Sequence, residues 1–477
     1  MDRPGLPRRL VRRLPKPLRQ HWKPLVATVA VLAFVAVWFG DVRIRPYVTG
    51  AVHVAAPRIT HDIAGTVDLF DPTVAHTVSV EMSDAQYRDM IAQYAADGDK
   101  KWMTARVTID GTVIDDVAVR LKGNSTLMGL RGDGFGPPGW SGPPPSKAPF
   151  SAVSADDPTS LPLLLSFDEH AAGRAYQGMT ELAVRPGAPV LNEALALTMT
   201  ALTGQPTQRY AYVTYSINGA TTTRLVLEHP DEGYPARVFG TDGYLYKARA
   251  GSRLEYRGPS QAAYAHEFKQ VNAAETGNLQ PLIDFLHWLD TADDDAFAAG
   301  LSRWVDVESF ARYVATQNLL VNADDMAGPG QNYYLWYDLA TRRFTVLSWD
   351  LNLAMVMGDP DLGPRDPLKM KPPPGMPPPP QDWPPSGEPP WREGNLLKER
   401  FLAAPAFDEL YQTVYWELYD QLYADGRAVD LLDQVVAAVP VTDGLSKQDL
   451  DSAAAELRAW LTERADALGR LRSGRTG

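Results

Sequence analysis

Residues 322–352 constrain the fold of this chain more tightly than any other stretch. They begin Asn322-Ala-Asp324-Asp325, continue to Asn332 at the head of Asn-Tyr-Tyr-Leu-Trp-Tyr, and end in Ser348-Trp349-Asp350-Leu351-Asn352. Upstream, Phe310, Tyr313, Val314 and Leu320 recur at helical spacing across 305–321, so a helix delivers Asp324 and Asp325 into a loop. From Asn332 the pattern alternates as a strand, residues 338–342 turn the chain, and Phe344-Thr-Val-Leu-Ser-Trp349 returns it as a second strand ending at Asp350. Pairing of these strands in register brings Asn332 and Asp350 to one end of a hairpin.

That order of parts (a catalytic Asp, a metal-holding Asn, a hairpin, a metal-holding Asp) is the one protein kinases use. Phosphoryl transfer asks little covalent work of a protein. It needs divalent ions to neutralise the triphosphate and a base to orient an attacking hydroxyl. Mg²⁺ takes hard oxygen ligands and keeps several waters, so one carboxylate and one amide suffice beside the phosphates. The plainer reading is that Asp324-Asp325 ends a helix and Asp350 starts a turn.

At 477 residues the chain has room for one large domain or two moderate ones. Cysteine is absent, which excludes disulfides and thiolate metal sites, and the eight His show no zinc-hydrolase spacing. Residues 1–24 hold eight Lys/Arg and one Asp, leaving 38 basic and 57 acidic residues, a net −19, for the remainder. An acidic body argues against nucleic acid as a partner. Residues 24–40 are uncharged and apolar, flanked by Trp22 and Trp38-Phe39, and read as a short transmembrane anchor. The basic segment 1–23 then stays in the cytoplasm and the body lies outside it; a cleaved signal peptide is the competing reading.

Residues 41–75 read as a stalk. Thr77-Val-Ser-Val-Glu-Met is a strand, and Ser83 caps a helix through about Tyr94. Turns at Asp110-Gly111 and Asn218-Gly219 mark two hairpins, over 105–121 and 210–228. A buried strand over 161–167, a helix over 192–202 with Glu193 in its first turn, and a short strand at Gly243–Lys247 complete the first half. Beyond about residue 260 the pattern is helical: 279–289, 305–321, 406–424, 428–438 and 447–471. Residues 129–162 and 358–391 are rich in Pro and cannot pack as helix or sheet. Tyr411, Tyr415, Trp416 and Tyr419 form a helical stripe that reads as core, and Asp293-Asp294-Asp295 reads as a helix start. Strands followed by helices make an α+β arrangement with a cleft between its halves.

Several segments together resemble the CotH family, atypical kinases named for a bacterial spore-coat protein. Val119-Arg-Leu-Lys-Gly-Asn-Ser-Thr126 is similar to the family's Arg-x-x-Gly-Asn-Ser-Ser motif. Phe167-Asp168 with Tyr176-Gln-Gly, Leu227-Glu228, Tyr246-Lys247, Asn322-x-Asp324, Asn332-Tyr-Tyr-Leu and Trp349-Asp350-Leu follow in the family's order. The resemblance spans about 76–470. It implies a protein-kinase-like two-lobed α+β fold behind one transmembrane helix, with a strand-rich lobe over about 76–258 and a helix-rich lobe over about 259–470. It also implies transfer of the ATP γ-phosphate to Ser or Thr hydroxyls of an extracytoplasmic protein, with Mg²⁺ or Mn²⁺. Carried over, Asp324 is the catalytic residue with Asp325 as alternate, and Asn332 and Asp350 hold metal. Arg120, Lys122, Gly123, Asn124 and Ser125 lie near the phosphates, and Lys247 and Glu228 fall on family positions as an ion pair.

Two positions depart from the family. The strand before Phe167 is Leu163-Leu-Leu-Ser166, without the family's Lys, for which Lys147, Lys122 or Lys247 would have to stand in. Asn352 replaces an Asp. Glu193 has the place of a helix Glu that pairs with a kinase Lys, or of a carboxylate at a helix N-terminus. A non-catalytic surface protein that keeps the fold, and a metal-dependent hydrolase of a surface polymer, are the competing classes; stabilisation by nucleotide separates the kinase from both.

Overall fold

Two tight turns seed the first half of the structure, a computed structural model that describes residue 28 and residues 59–123, 125–131, 153–250, 252–274, 278–369 and 394–474. Asp110 and Gly111 have φ of 47° and 80° and join Met103–Ile109 to Thr112–Leu121; Asn218 and Gly219, at 49° and 89°, join Tyr210–Ile217 to Ala220–Glu228. Two consecutive positive φ values match the right-handed twist of paired strands, which is why Asp-Gly and Asn-Gly occupy these corners. Strand His76–Glu81 pairs antiparallel with Met103–Ile109 and parallel with Tyr210–Ile217. Leu163–Ser166 and Glu181–Val184 bridge Thr112–Leu121 to Ala220–Glu228, and the seven strands close into a barrel. Its interior is filled by Val80, Val107, Val119, Leu163, Leu165 and Ile217, all at 0 % exposure. Each such side chain contributes about 1.5–3 kcal/mol by burial, and closure leaves no strand edge open. Helix Asp84–Asp97 adds Met90 and Tyr94 to the same core, with Ser83 and Gln86 forming a reciprocal cap at its start.

A second, four-stranded antiparallel sheet runs in the order Phe268–Gln270, Gly243–Ala248, Tyr333–Asp338, Phe344–Ser348. Around it lie helices Leu191–Leu202, Gln280–Thr291, Val307–Leu319, Leu396–Ala403, Asp408–Leu422, Arg427–Ala437 and Lys447–Ser473. One core joins them, with Leu195, Leu286, Phe310, Leu335 and Tyr415 buried in it. The stripe Tyr411, Tyr415 and Tyr419 is buried there, as its spacing indicates. Asp293 caps helix Asp294–Gly300 by accepting from the Ala296 N–H at 2.8 Å.

The expected fold class needs correction. Over the described residues the chain is a mixed α/β structure with a closed seven-stranded barrel, not the expected two-lobed protein-kinase-like α+β fold. The barrel closes through the parallel pairing of His76–Val80 with Val213–Ile217, a contact that no local pattern encodes. The second sheet also draws strands from both sides of the boundary expected near residue 258. Among the described residues no helix is long and apolar enough to cross a membrane. The basic segment 1–23, the expected anchor 24–40 apart from Thr28, the first part of the stalk, Asn124, Lys147 and most of both Pro-rich stretches lie outside the described residues.

Candidate active site

Helix Val307–Leu319 starts on Asp306, whose carboxylate accepts from the Ser309 N–H at 3.0 Å, and it buries Phe310, Tyr313 and Val314. It ends where Val321 turns to φ 47°, which reverses the chain into the acidic loop. Gln317 ties this loop to the hairpin: its amide nitrogen donates to Ser348 Oγ at 2.8 Å, and its carbonyl accepts from Asn322 Nδ2 at 2.7 Å. Asp324 Oδ1 accepts from the Gly330 N–H at 2.5 Å and Oδ2 from Asn332 Nδ2 at 2.8 Å. Gly330 is required here, because a Cβ on it would stand 2.6 Å from Asp324 Oδ2. Tyr333 pairs with Ser348, so Asn332 and Asp350 leave the hairpin at one end. Asp350 itself sits at φ 54°, ψ 62°.

The barrel supplies the cations. Leu121, Leu163 and Val184 lie side by side in register, and the outer two strands run in the same direction. The residues that follow them, Lys122 and Arg185, therefore emerge from the same end of the barrel. Arg185 is buried and bridges two carboxylates, with Nε donating to Glu193 Oε2 at 2.7 Å and Nη2 to Asp350 Oδ1 at 2.5 Å. Glu193, in the first turn of its helix, thus pairs with an arginine. Lys247 enters from the second sheet, and its ammonium lies 4.8 Å from the centre of the Trp349 ring; the Lys122 ammonium lies 4.7 Å from the same ring. Neither lysine forms an ion pair within the described residues.

These surroundings move the protonation equilibria in opposite directions. Burial, with Asp350 and Asp325 near by, pushes the Asp324 carboxyl up to about 7 against the hydrogen bond from Gly330. Burial lowers Lys122 to about 7, helped by Arg185, and lowers Lys247 to about 8. For Asp350, burial would raise the carboxyl, but Arg185, Lys122 and Lys247 hold it below its ordinary value. Burial raises Glu193 in spite of Arg185. A carboxyl that titrates near neutrality and faces a hydrogen-bonding amide suits proton acceptance from a hydroxyl. Two ammonium groups without carboxylate partners suit an anion.

The remaining expected residues are placed as follows. Asp325 is buried, with Oδ1 accepting from the Ala327 N–H at 2.8 Å and Oδ2 paired with Lys398. Arg120 stacks over Trp102, 4.5 Å from the ring centre. Gly123 has φ 112°, and a Cβ there would overlap Thr126 Oγ1, so the turn after Lys122 demands glycine. Ser125 opens a short 3-10 helix, Ser125–Arg131. Glu228 is not paired with Lys247. Its carboxylate binds Arg209 at 2.9 Å and also Arg237, so it anchors the barrel rather than the site. Asn352 accepts through its backbone from Asn192 Nδ2 at 2.6 Å.

Arg185 and Lys398 were not among the expected site residues. Arg185 could have been found from its place at the end of a short apolar strand, eight residues before Glu193. Lys398 carries no local mark, because it lies beyond the second Pro-rich stretch. For a divalent ion, the amide oxygen of Asn332 and the free oxygen of Asp350 are hard donors, and the like charges of Asp324 and Asp350 favour a cation between such groups. Among the described residues no three acidic or His side chains converge on one point, so part of any coordination shell must come from ligand and water.

The model of the family described as CotH kinase protein matches residues 162–466. No curated protein matches the sequence. Among solved structures, the chain is similar to one from the Shewanella oneidensis MR-1 toxin–antitoxin complex of HipA, HipB and operator DNA, at 10% identity and a TM-score of 0.32. That match covers 60% of this chain and 58% of the other, and at this score it carries no argument about fold or activity.

Proposed function

We propose that this chain, which belongs to the CotH kinase protein family, transfers the γ-phosphate of ATP to Ser or Thr hydroxyls of a protein, with an acceptor outside the cytoplasm. One observation carries the reading. A buried carboxyl poised near neutrality, Asp324, is hydrogen-bonded to Asn332 at the mouth of a hairpin whose other strand presents Asp350 to Arg185, Lys122 and Lys247.

The roles follow from the chemistry of each group. Lys122 and Lys247 bind phosphate oxygens, and Trp349 holds both side chains over its ring. Arg185 keeps Asp350 ionised and, through Glu193, ties it to the helix Leu191–Leu202. Asn332 and Asp350 would hold the divalent ion, which when bound neutralises charge on the phosphates. Asp324 orients the acceptor hydroxyl and takes its proton; Asn332 and the Gly330 N–H fix the rotation of its carboxylate.

The test is incubation of the protein with γ-labelled ATP and Mg²⁺ or Mn²⁺, beside Asp324→Asn and Asp350→Asn. Label on protein in the parent and its loss in both variants is the expected result. Absence of label together with absence of ATP-dependent thermal stabilisation would sink the kinase reading and favour a non-catalytic surface protein.

A further inference from the structure

Asp324 and Asp325 are neighbours in sequence and carry the same side chain, yet the structure gives them different surroundings. Asp324 keeps one hydrogen bond on each oxygen and is 9% exposed. Asp325 is 1% exposed, and its two oxygens are taken by the Ala327 N–H and the Lys398 ammonium. Its backbone carbonyl also accepts from Gly328 and Asn332, so the residue sits at the centre of the loop's own hydrogen bonding. Lys398 belongs to helix Leu396–Ala403, which follows the second Pro-rich stretch. Asn395 caps this helix, accepting from the Lys398 N–H at 3.2 Å, and its amide donates to the Met326 carbonyl at 3.3 Å. The Gly394 N–H donates to the Ala327 carbonyl at 2.7 Å. Gly394, Asn395 and Lys398 thus grip three successive residues of the acidic loop, Asp325 to Ala327.

Resting on the phosphotransfer reading above, we propose that Lys398 is a positioning residue: by pairing with Asp325 it locks that carboxylate into the loop and leaves Asp324 as the one carboxylate presented to the acceptor hydroxyl. A buried carboxylate without a partner must take a proton or turn toward water. If Lys398 lost its ammonium, Asp325 would do one of these, release Ala327, and shift the Asp324 carboxylate from its seat between Gly330 and Asn332. A misplacement of about 1 Å lowers turnover by roughly 100-fold without touching the nucleotide contacts. Lys122 and Lys247 lie on other elements, so nucleotide binding stays.

The test compares parent, Lys398→Met, Asp325→Asn and the double variant Asp325→Asn/Lys398→Met. Each is assayed for kcat, for KM toward ATP, for ATP-induced thermal shift and for amide hydrogen exchange over 322–332. Lys398→Met should lose kcat by about 100-fold while KM for ATP changes less than about threefold and the thermal shift persists. The double variant removes both charges together, so it should recover kcat to within about tenfold of the parent and restore slow exchange in the loop. Parent-like kcat in Lys398→Met would overturn the proposal. So would a folded double variant no better than Lys398→Met, or loss of kcat in Asp325→Asn as complete as in Asp324→Asn. A parent without phosphotransfer would refute the function proposed above. In that event exchange over 322–332 still decides this inference: no increase in Lys398→Met means that Lys398 does not hold the loop.

Discussion

Replacing Asp324 by Asn should stabilise the folded protein, and increasingly so as the pH rises. The Asp324 carboxyl titrates near 7 in the fold and at an ordinary 3.8 when unfolded. A carboxyl raised in this way imposes no penalty below its unfolded pKa, and the penalty becomes complete as pH rises through the folded value. The gap of about three units corresponds to about 4 kcal/mol once both states are ionised, near pH 8, and to about 1.5 kcal/mol at pH 5. Asn keeps an oxygen for the Gly330 N–H, but its amide then faces the donor of Asn332, which costs about 1 kcal/mol. The expected net effect is therefore about +3 kcal/mol at pH 8, falling to about zero between pH 4 and 5. Urea unfolding of parent and variant at pH 4.5, 6, 7 and 8, without divalent ions, reads this directly, since titrating groups remote from Asp324 cancel in the difference and the repulsion from Asp325 and Asp350 is part of the shift itself. An equal difference at pH 4.5 and pH 8 would refute the reasoning, because it would mean that Asp324 keeps its ordinary pKa in the fold.

Lys122→Met and Lys247→Met should each raise KM for ATP at least about tenfold, since each removes a charged hydrogen bond to phosphate of about 1.5–3 kcal/mol; filter binding of labelled ATP checks this, and wild-type affinity in both would exclude them as phosphate ligands. A lysine lowered to about 8 destabilises the fold as pH falls from 10.5 toward 8, so Lys247→Met should also gain stability over the parent at pH 7 relative to pH 10 by thermal melting. Arg185→Met leaves Glu193 and Asp350 as like charges without their shared partner and should cost about 3 kcal/mol in urea unfolding, the lower end of the range for a broken buried pair because Asp350 is partly open. Arg464→Met removes a fully buried guanidinium that donates to the carbonyls of Asn318, Pro360 and Leu362, and should cost about 3 kcal/mol by the same measurement.

Much of the local structure could be read from the sequence, because its signals are local. Asp110-Gly111 and Asn218-Gly219 admit few conformations other than a tight hairpin turn. The order Asp324, Asn332, Asp350 implied a shared hairpin end, and the register Tyr333 opposite Ser348 realises it. The global arrangement was not legible in the same way. Whether His76–Glu81 meets Tyr210–Ile217 depends on two segments more than 130 residues apart, and both pack as well in an open sheet by alternation alone. Pairing of charges failed for the same reason. Glu228 has a lysine within 20 residues, yet the fold gives it Arg209 and Arg237, because strand Gly243–Ala248 leaves for the second sheet.

The pattern of unfavourable charge bears on what the site is built to receive. Asp324 resists ionisation, while Lys122 and Lys247 resist protonation, and all three lie within electrostatic reach of Asp350. In a structure shaped for stability alone, such groups would pair with one another and quench the shifts. Here Arg185 occupies Asp350, and Asn332 and the Gly330 N–H occupy Asp324, so the two lysines are left to aromatic faces, both over Trp349 and Lys247 also over Tyr334. A simple anion would settle the lysines and make Asp324 harder to ionise. A lone cation would settle Asp324 and drive the lysines further toward neutrality. A ligand that carries both signs, phosphates toward Lys122 and Lys247 and a divalent ion toward Asn332 and Asp350, relieves both sets at once. That is why the arrangement favours a metal–nucleotide over either component by itself, and why the proposal of phosphotransfer rests on the whole constellation rather than on the aspartates alone.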